Sequence, residues 1–288
     1  MDELIYASGV RSVLALALVA ACGFSVPANR DGAIDTPDAP PDVPVVTWAI
    51  DPTSGKAVPA NATEWRDFLK AKGLNNIMAP NGLWLAQESG GALADSVGTV
   101  ALAPFNGPTY AAAVPGWTRH AVGTPDGTFS GFANTSDPNL PNVGATSMTV
   151  LLLMQLPSGP PPGTRTFLVE GSSSPLSYIR ADIDATKHYL IGFVGPPSTT
   201  TTGTQDPGAV PAGVMMKLDI TNAQQKLITR TETITLGNSP LGASRGLQLG
   251  GTVWSAPVTR YLYVVAWYGA RAEISDVDAR ALLTALNW

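Results

Sequence analysis

Short strand-like segments separated by turn residues dominate this chain, and no other feature of it constrains the fold as strongly. Clusters of glycine, proline, asparagine or aspartate separate about twelve such segments, and no stretch with a helical period lies between them. This pattern predicts an all-β fold in which antiparallel strands form a sandwich or a barrel. The predicted strands lie near residues 83–88, 99–102, 117–121, 128–133, 147–156, 165–170, 176–182, 187–194, 213–219, 226–235, 246–250 and 261–268.

Helix signals occur only near the two ends of this strand-rich region. A short helix is predicted over 61–74, where Asn61 can cap, Glu64 stands three residues later as in a capping box, and Gly73 ends the run. A second short helix is predicted at the C-terminus, where Ser275 precedes an acidic first turn. The apolar residues of the two helices are Trp65, Phe68, Leu69, Leu282, Leu283 and Leu286.

The N-terminal segment has the pattern of an export signal. Residues 12–21 form an apolar run of ten behind Arg11, whereas a membrane-spanning helix needs about twenty apolar residues. The run is therefore predicted to be the hydrophobic region of a signal peptide over 1–21. Two translation starts, Met1 and Val10, are compatible with this interpretation.

A cysteine closes the apolar run, in the motif Val19-Ala20-Ala21-Cys22. This motif resembles the lipobox of bacterial lipoproteins, in which the cysteine thiol receives a diacylglycerol, the peptide is cut before the cysteine, and the new amino terminus is acylated, as with palmitate. The resemblance implies that lipid on Cys22 attaches the protein to a membrane of the bacterial cell envelope. Because Gly23 rather than aspartate follows, it implies the outer membrane. The alternative is a buried cysteine in an N-terminal helix.

A tether is predicted between the lipid anchor and the folded domain, over residues 22–60. Residues 23–60 contain seven prolines, five aspartates and two basic residues. Because each proline removes a backbone donor and fixes φ, the segment is predicted to be an extended, self-repelling spacer. An unselected low-complexity tail is the alternative.

The charge and the scarcity of metal-binding residues limit the partners. Lys and Arg number 17 against 22 Asp and Glu, a net charge of −5, so the chain lacks the basic footprint that nucleic acid requires. One cysteine and two histidines cannot form a disulfide framework or a Cys/His zinc site. We therefore expect neither nucleic acid nor a bound metal or other cofactor.

Four segments resemble, in order and spacing, the LamG-like, concanavalin A-like lectin/glucanase superfamily. They are 83–98 with its Asp-Ser-Val-Gly turn, 147–156, 247–251 with its glycine pair, and 261–283, a strand that leads into a helix. The resemblance implies a concanavalin A-like jelly-roll sandwich over 61–288 and a glycan- or cell-surface polymer-binding function. Calcium is possible by family analogy alone, although no segment resembles an EF-hand loop, and Asp95 is interpreted as a turn residue.

The alternation of side chains suggests which strand faces are buried. Both alternating sets of 147–156 are apolar, which predicts a strand that is covered on both faces. In 176–183 the alternation separates an apolar set, Ile179, Ala181 and Ile183, from a polar and aromatic set, Tyr178, Arg180 and Asp182. The apolar set is expected to face the core.

Candidate ligand-binding residues follow from the exposed positions. They are Tyr178, Arg180 and Asp182 on the polar strand face and Trp254 in a loop bounded by glycine and proline. Aromatic side chains of this kind can stack on a sugar ring, whereas the alternative is that they pack back on the domain. A structural or adhesive module that binds a protein partner is the alternative function.

No complete catalytic constellation is found, so no catalytic residue is assigned. Asp182 and Asp184 are the only pair spaced like the two carboxylates of a glycoside hydrolase, but Asp184 precedes a turn and is expected to support a hairpin. His188 would face Asp182 if the hairpin loop had three residues, yet no nucleophile is placed beside it. A glycoside hydrolase is the second alternative function.

Overall fold

A computed structural model of the protein shows two large antiparallel sheets, a two-stranded sheet and two helices. It describes residues 58–112, 121–124, 131–134, 142–143, 147–155, 165–170, 178–183, 188–194, 199–205, 212–219, 222, 224–237, 244–250, 260–269 and 274–288. The helices are α1 (Ala62–Ala71) and α2 (Asp276–Leu286). The strands are β1 (Gly82–Trp84), β2 (Ala103–Phe105), β3 (Thr109–Ala112), β4 (Ala121–Thr124), β5 (Gly131–Asn134), β6 (Asn142–Val143), β7 (Met148–Gln155), β8 (Arg165–Glu170), β9 (Tyr178–Ile183), β10 (Tyr189–Val194), β11 (Thr199–Thr202), β12 (Ala212–Asp219), β13 (Gln224–Ile228), β14 (Thr233–Leu236), β15 (Ser244–Arg245), β16 (Leu247–Gly250) and β17 (Arg260–Tyr268).

Both predicted helices form, and their ends are held by the residues that the sequence indicates. The Asn61 side chain accepts hydrogen bonds from the backbone amides of Thr63 and Glu64, each at 3.0 Å. The Glu64 carboxylate in turn accepts one from the backbone of Ala60, at 2.9 Å. At the other end of α1, Gly73 has a φ of +71°, a conformation that suits glycine at a helix C-terminus.

The eight-stranded sheet has the order β14-β13-β12-β7-β17-β4-β3, and β1 also pairs with β17. One edge of β17 is shared, because β4 pairs with residues 260–262 and β1 with residues 265–267. The seven-stranded sheet has the order β11-β10-β9-β8-β16-β5-β2. The antiparallel sandwich with a helix at each end confirms the predicted fold class.

Two hydrophobic clusters lie on opposite faces of the eight-stranded sheet. Val150 and Leu152 of β7 belong to the cluster between the sheets, together with Tyr189 and Leu249 of the seven-stranded sheet. Leu151 of β7 belongs instead to a cluster beneath the helices. The prediction that residues 147–156 are covered on both faces is therefore confirmed for β7. The helix residues of the second cluster are Trp65, Phe68, Leu69, Ala279, Leu282, Leu283 and Leu286.

Two sequence interpretations are wrong in detail. The single strand predicted over 226–235 is a hairpin of β13 and β14, because a turn forms in which the Thr229 amide donates to the Glu232 carbonyl at 2.9 Å. No strand is predicted between 187–194 and 213–219, yet Thr199–Thr202 forms β11 and pairs with β10. Threonine is β-branched and fits an extended strand, but the strand forms because β10 pairs with it.

None of the helices in the described part of the chain is both long enough and apolar enough to cross a bilayer.

Candidate functional site

The two large sheets differ in what covers their outer faces. The cluster beneath α1 and α2 contains residues of β1, β7, β12, β13 and β17 but, among the described residues, none of the seven-stranded sheet. The helices therefore cover the eight-stranded sheet, and within the described residues neither helix packs on the seven-stranded sheet. Phe132, Tyr189, Ile191, Leu247 and Leu249 point from this sheet into the core, so the alternate residues of its strands define the outer face.

The register of β9 and β10 assigns the predicted binding residues to this outer face. Ala181 lies opposite the buried Ile191, and Ile183 lies opposite the buried Tyr189. Directly opposed residues of an antiparallel pair share a face. By register, Ile179, Ala181 and Ile183 are therefore in line with the core-facing residues of β10, and Tyr178, Arg180 and Asp182 hold the alternate positions, in line with the outer face.

Arg180 lies in the middle of a row of register partners that crosses the sheet. It pairs with Gly192 of β10 on one side and with Val169 of β8 on the other. The row continues from Gly192 to Thr200 of β11 and from Val169 to Gln248 of β16. Because glycine has no side chain, the row has a gap between Arg180 and Thr200 on this face.

Polar residues beyond the predicted set occupy the same face. Thr200 and Thr202 are exposed on the edge strand β11, and Gln248 is half-buried in β16. Sequence analysis missed the two threonines because the run that contains them resembles a loop by composition. Alternation along 246–250 could have indicated Gln248, since Leu247 and Leu249 on either side of it are buried.

Several predicted residues lie outside the described part of the chain. These are Cys22, the signal peptide, the tether as far as residue 57, Asp184 and Trp254. The three-residue loop that would place His188 opposite Asp182 does not form, because Leu190 is the register partner of Asp182. The connection between β9 and β10 is longer than the three residues that this pairing requires, since it runs over residues 184–188.

The structure confirms that Asp95 is a turn residue. Its Oδ1 atom accepts hydrogen bonds from the amides of Leu83, Val97 and Gly98, each at 2.9 Å. Its Oδ2 atom accepts one from the amide of Val100 at 3.4 Å. One carboxylate therefore joins β1 to the following loop as a structural hydrogen-bond acceptor.

A small charged cluster lies where α2 meets the eight-stranded sheet. The Asp276 carboxylate at the start of α2 binds the ammonium groups of Lys217, at 3.4 Å, and Lys226, at 2.6 Å. Nearby, burial alone would raise the pKa of Asp219, but hydrogen bonds from Asn222 and the charges of Lys217 and Lys226 outweigh that effect and lower the pKa. The cluster thus stabilises charges that the helix layer partly removes from water.

The described residues contain no group of three or more histidine, cysteine, aspartate or glutamate side chains placed to hold a metal ion.

Comparison with known proteins identifies the fold. No protein-family model matches the chain, and no curated protein matches it significantly. Trypanosoma rangeli sialidase in complex with sialic acid matches with a TM-score of 0.53 at 14% identity, over 72% of this chain and 33% of the sialidase chain. The binding domain of botulinum neurotoxin DC in complex with rat synaptotagmin II matches with a TM-score of 0.53 at 10% identity, over 73% of this chain and 52% of the other. The CBM40 module of Ruminococcus gnavus IT-sialidase, bound to alpha2,3 sialyllactose, has a TM-score of 0.45 at 19% identity, over 57% and 95% of the two chains.

These likenesses show the fold. The chain is an antiparallel β-sandwich, and it spans about a third of the length of the sialidase chains that it matches. At such low identity the fold is shared, whereas ligand and activity belong to sites that differ between proteins of one fold.

Proposed function

We propose that this protein is a lipoprotein of the bacterial outer membrane whose sandwich domain binds a glycan or a cell-surface polymer without cleaving it. One observation carries the binding part of the proposal. The seven-stranded sheet has an outer face that neither helix covers, and the register assigns Tyr178, Arg180 and Asp182 to that face.

The residue types on this face suit a sugar polymer. A tyrosine ring can stack on the apolar face of a sugar, an arginine donates several hydrogen bonds in fixed geometry, and an aspartate accepts them from hydroxyl groups. The gap at Gly192, with exposed Thr200 beyond it, favours an extended ligand that lies across strands. The fold supports the proposal by analogy, since the sialidase that it resembles was solved in complex with sialic acid.

We expect Tyr178→Ala and Arg180→Ala each to weaken polysaccharide retention at least tenfold, which corresponds to about 1.4 kcal/mol. The measurement is affinity gel electrophoresis of the domain in gels that contain laminarin, xylan, pectin or dextran. Arg230→Ala is the matched control, because Arg230 is an exposed arginine in the turn between β13 and β14. Equal retardation of all four proteins, with the wild type retained, would remove this face from the binding site.

The same experiment distinguishes the alternatives. A structural or adhesive module would show no retention on any polysaccharide but would retain a surface protein in pull-down, and Arg180→Ala would reduce that capture. The match to the neurotoxin domain solved in complex with synaptotagmin II makes this the second candidate. A glycoside hydrolase would release sugar from the panel and would lose that activity in Asp182→Asn.

The proposed lipid anchor has a separate test. We expect Cys22→Ser to abolish incorporation of labelled palmitate and to move the protein out of the membrane fraction, because several acyl chains on one residue provide stable anchoring. Ser25→Ala, three residues further along, is the control and should remain in the membrane fraction. Normal fractionation of Cys22→Ser would refute the lipid assignment.

A further inference from the structure

Four exposed cations line two grooves beside the helices, two cations in each groove. This basic face consists of Arg66, Lys70, Lys72 and Arg280, all of which are exposed. Within the described residues none of the four forms an ion pair. Arg66 and Arg280 donate hydrogen bonds to neutral oxygens, as in the 2.6 Å bond from Arg280 to the Thr233 hydroxyl.

Two shallow grooves cross the basic face, and each contains an exposed apolar side chain. One groove, of about 460 Å³, is lined by Lys72, Leu74, Val277, Arg280, Ala281, Thr284 and Ala285. The other, of about 360 Å³, is lined by Arg66, Leu69, Lys70, Asn75, Ile77, Met78 and Ala79. No carboxylate lines either groove. Val277 is 78% exposed and Met78 is 58% exposed, and they are the large hydrophobic residues that the described part of the chain exposes most openly.

We propose that the basic face docks on the anionic phospholipid surface of a bilayer. In a chain with a net charge of −5, these grooves gather four cations that have no ion-pair partner among the described residues, although Lys72 also lies 6.0 Å from the centre of the Phe68 ring. The positive charge makes the grooves complementary to anionic headgroups. Cations flank Met78 and Val277, and side chains of these two kinds are what an interfacial helix presents to the headgroup region. Each groove combines cations with an exposed apolar side chain, which suits a bilayer interface better than an acidic peptide that offers charge alone.

The proposed lipid anchor adds to this docking but is not required for it. The described chain begins at Val58, which is buried in the cluster beneath the helices beside α1. A tether that starts at Cys22 therefore reaches the domain at the helix layer. Attachment to the membrane would raise the local concentration of headgroups, so that a weak docking surface becomes occupied. Docking in this orientation would turn the outer face of the seven-stranded sheet away from the bilayer.

The test is sedimentation of residues 23–288 with lipid vesicles, because this chain contains every described contact and no signal peptide or lipid. Vesicles of phosphatidylcholine with about 30% phosphatidylglycerol should bind the chain at low salt, and pure phosphatidylcholine should not. Binding should weaken as salt rises, because exposed charges are screened. Each cation near an anionic surface strengthens binding about fivefold, so the Lys70→Gln, Lys72→Gln double variant should bind about 25-fold more weakly.

Matched variants separate this proposal from its rivals. Met78→Ser with Val277→Ser should weaken vesicle binding about tenfold, and Arg180→Gln should leave it unchanged while polymer retention falls. Equal binding to both kinds of vesicle, or full binding by the double lysine variant, would overturn the proposal. A third outcome would also overturn the proposal: polyglutamate abolishes vesicle binding, and the Met78→Ser, Val277→Ser variant binds vesicles as tightly as the wild type. The partner would then be an acidic polypeptide. Loss of vesicle binding in Arg180→Gln would equally refute the proposal.

Discussion

Replacing Asp95 by alanine should lower the free energy of unfolding by about 3 kcal/mol. The carboxylate accepts hydrogen bonds from three backbone amides on Oδ1 and from a fourth on Oδ2. Hydrogen bonds to a charged group contribute more to stability than those between neutral groups. Alanine leaves these amides without their acceptor. Water cannot easily replace it at Leu83 and Val100, because both residues are buried. Urea unfolding at neutral pH, followed by tryptophan fluorescence, measures the change.

Asp95→Asn is the matched control, because it keeps an oxygen in the position of Oδ1 and removes only the charge and Oδ2. Its cost should be about half of the cost of alanine. Gly98→Ala disturbs the same carboxylate from the other side, since an added Cβ would lie 2.6 Å from Oδ2 and 3.0 Å from the Asn81 carbonyl. Its effect should be less than additive with Asp95→Ala. An alanine variant that is no less stable than the asparagine variant would show that the hydrogen bonds do not hold this loop.

Local patterns in the sequence predicted the parts of the fold that local physics determines. The helix ends at Asn61, Gly73 and Ser275 follow from capping, which involves residues only a few positions apart. The burial of both faces of β7 follows from its unbroken apolar run, because only a strand between two layers tolerates one. These features can be predicted without knowing which strands pair.

Features that depend on distant pairing were not predictable in the same way. Whether 226–235 continues or turns depends on a few side-chain bonds, such as the 2.9 Å bond from the Glu232 amide to the Thr229 hydroxyl. β11 exists because β10 offers it a partner, which composition alone does not reveal. The same limit applies to the candidate site. Alternation assigned Arg180 to a face, but only the register brought Thr200 and Gln248 into its row.

Replacing Asp276 by alanine should cost about 3 kcal/mol of unfolding free energy. This carboxylate binds two ammonium groups, and the side chains of Lys217 and Lys226 are only 7% and 16% exposed. Removing one partner of a buried ion pair is costly, because the remaining charges stay where water solvates them poorly. The expected value lies at the low end of the range for such changes because the Asp276 side chain is itself 34% exposed. Urea unfolding of the purified chain measures it.

Asp278→Ala provides the control that separates the ion pairs from the helix dipole. Asp278 also lies in the first turn of α2 and binds Ser275, but among the described residues it forms no ion pair with either lysine. Its loss should therefore cost at most about 1 kcal/mol. Lys217→Met in the Asp276→Ala background should recover part of the stability, because it removes a buried charge and keeps the apolar stem. If both alanine variants lost the same unfolding free energy, Asp276 would act through the helix terminus rather than through the buried lysines. A much larger loss of unfolding free energy for Asp276→Ala than for Asp278→Ala, partly recovered by Lys217→Met, would support the charge cluster. It would show that this cluster, as well as the apolar face of α2, holds the helix on the sheet.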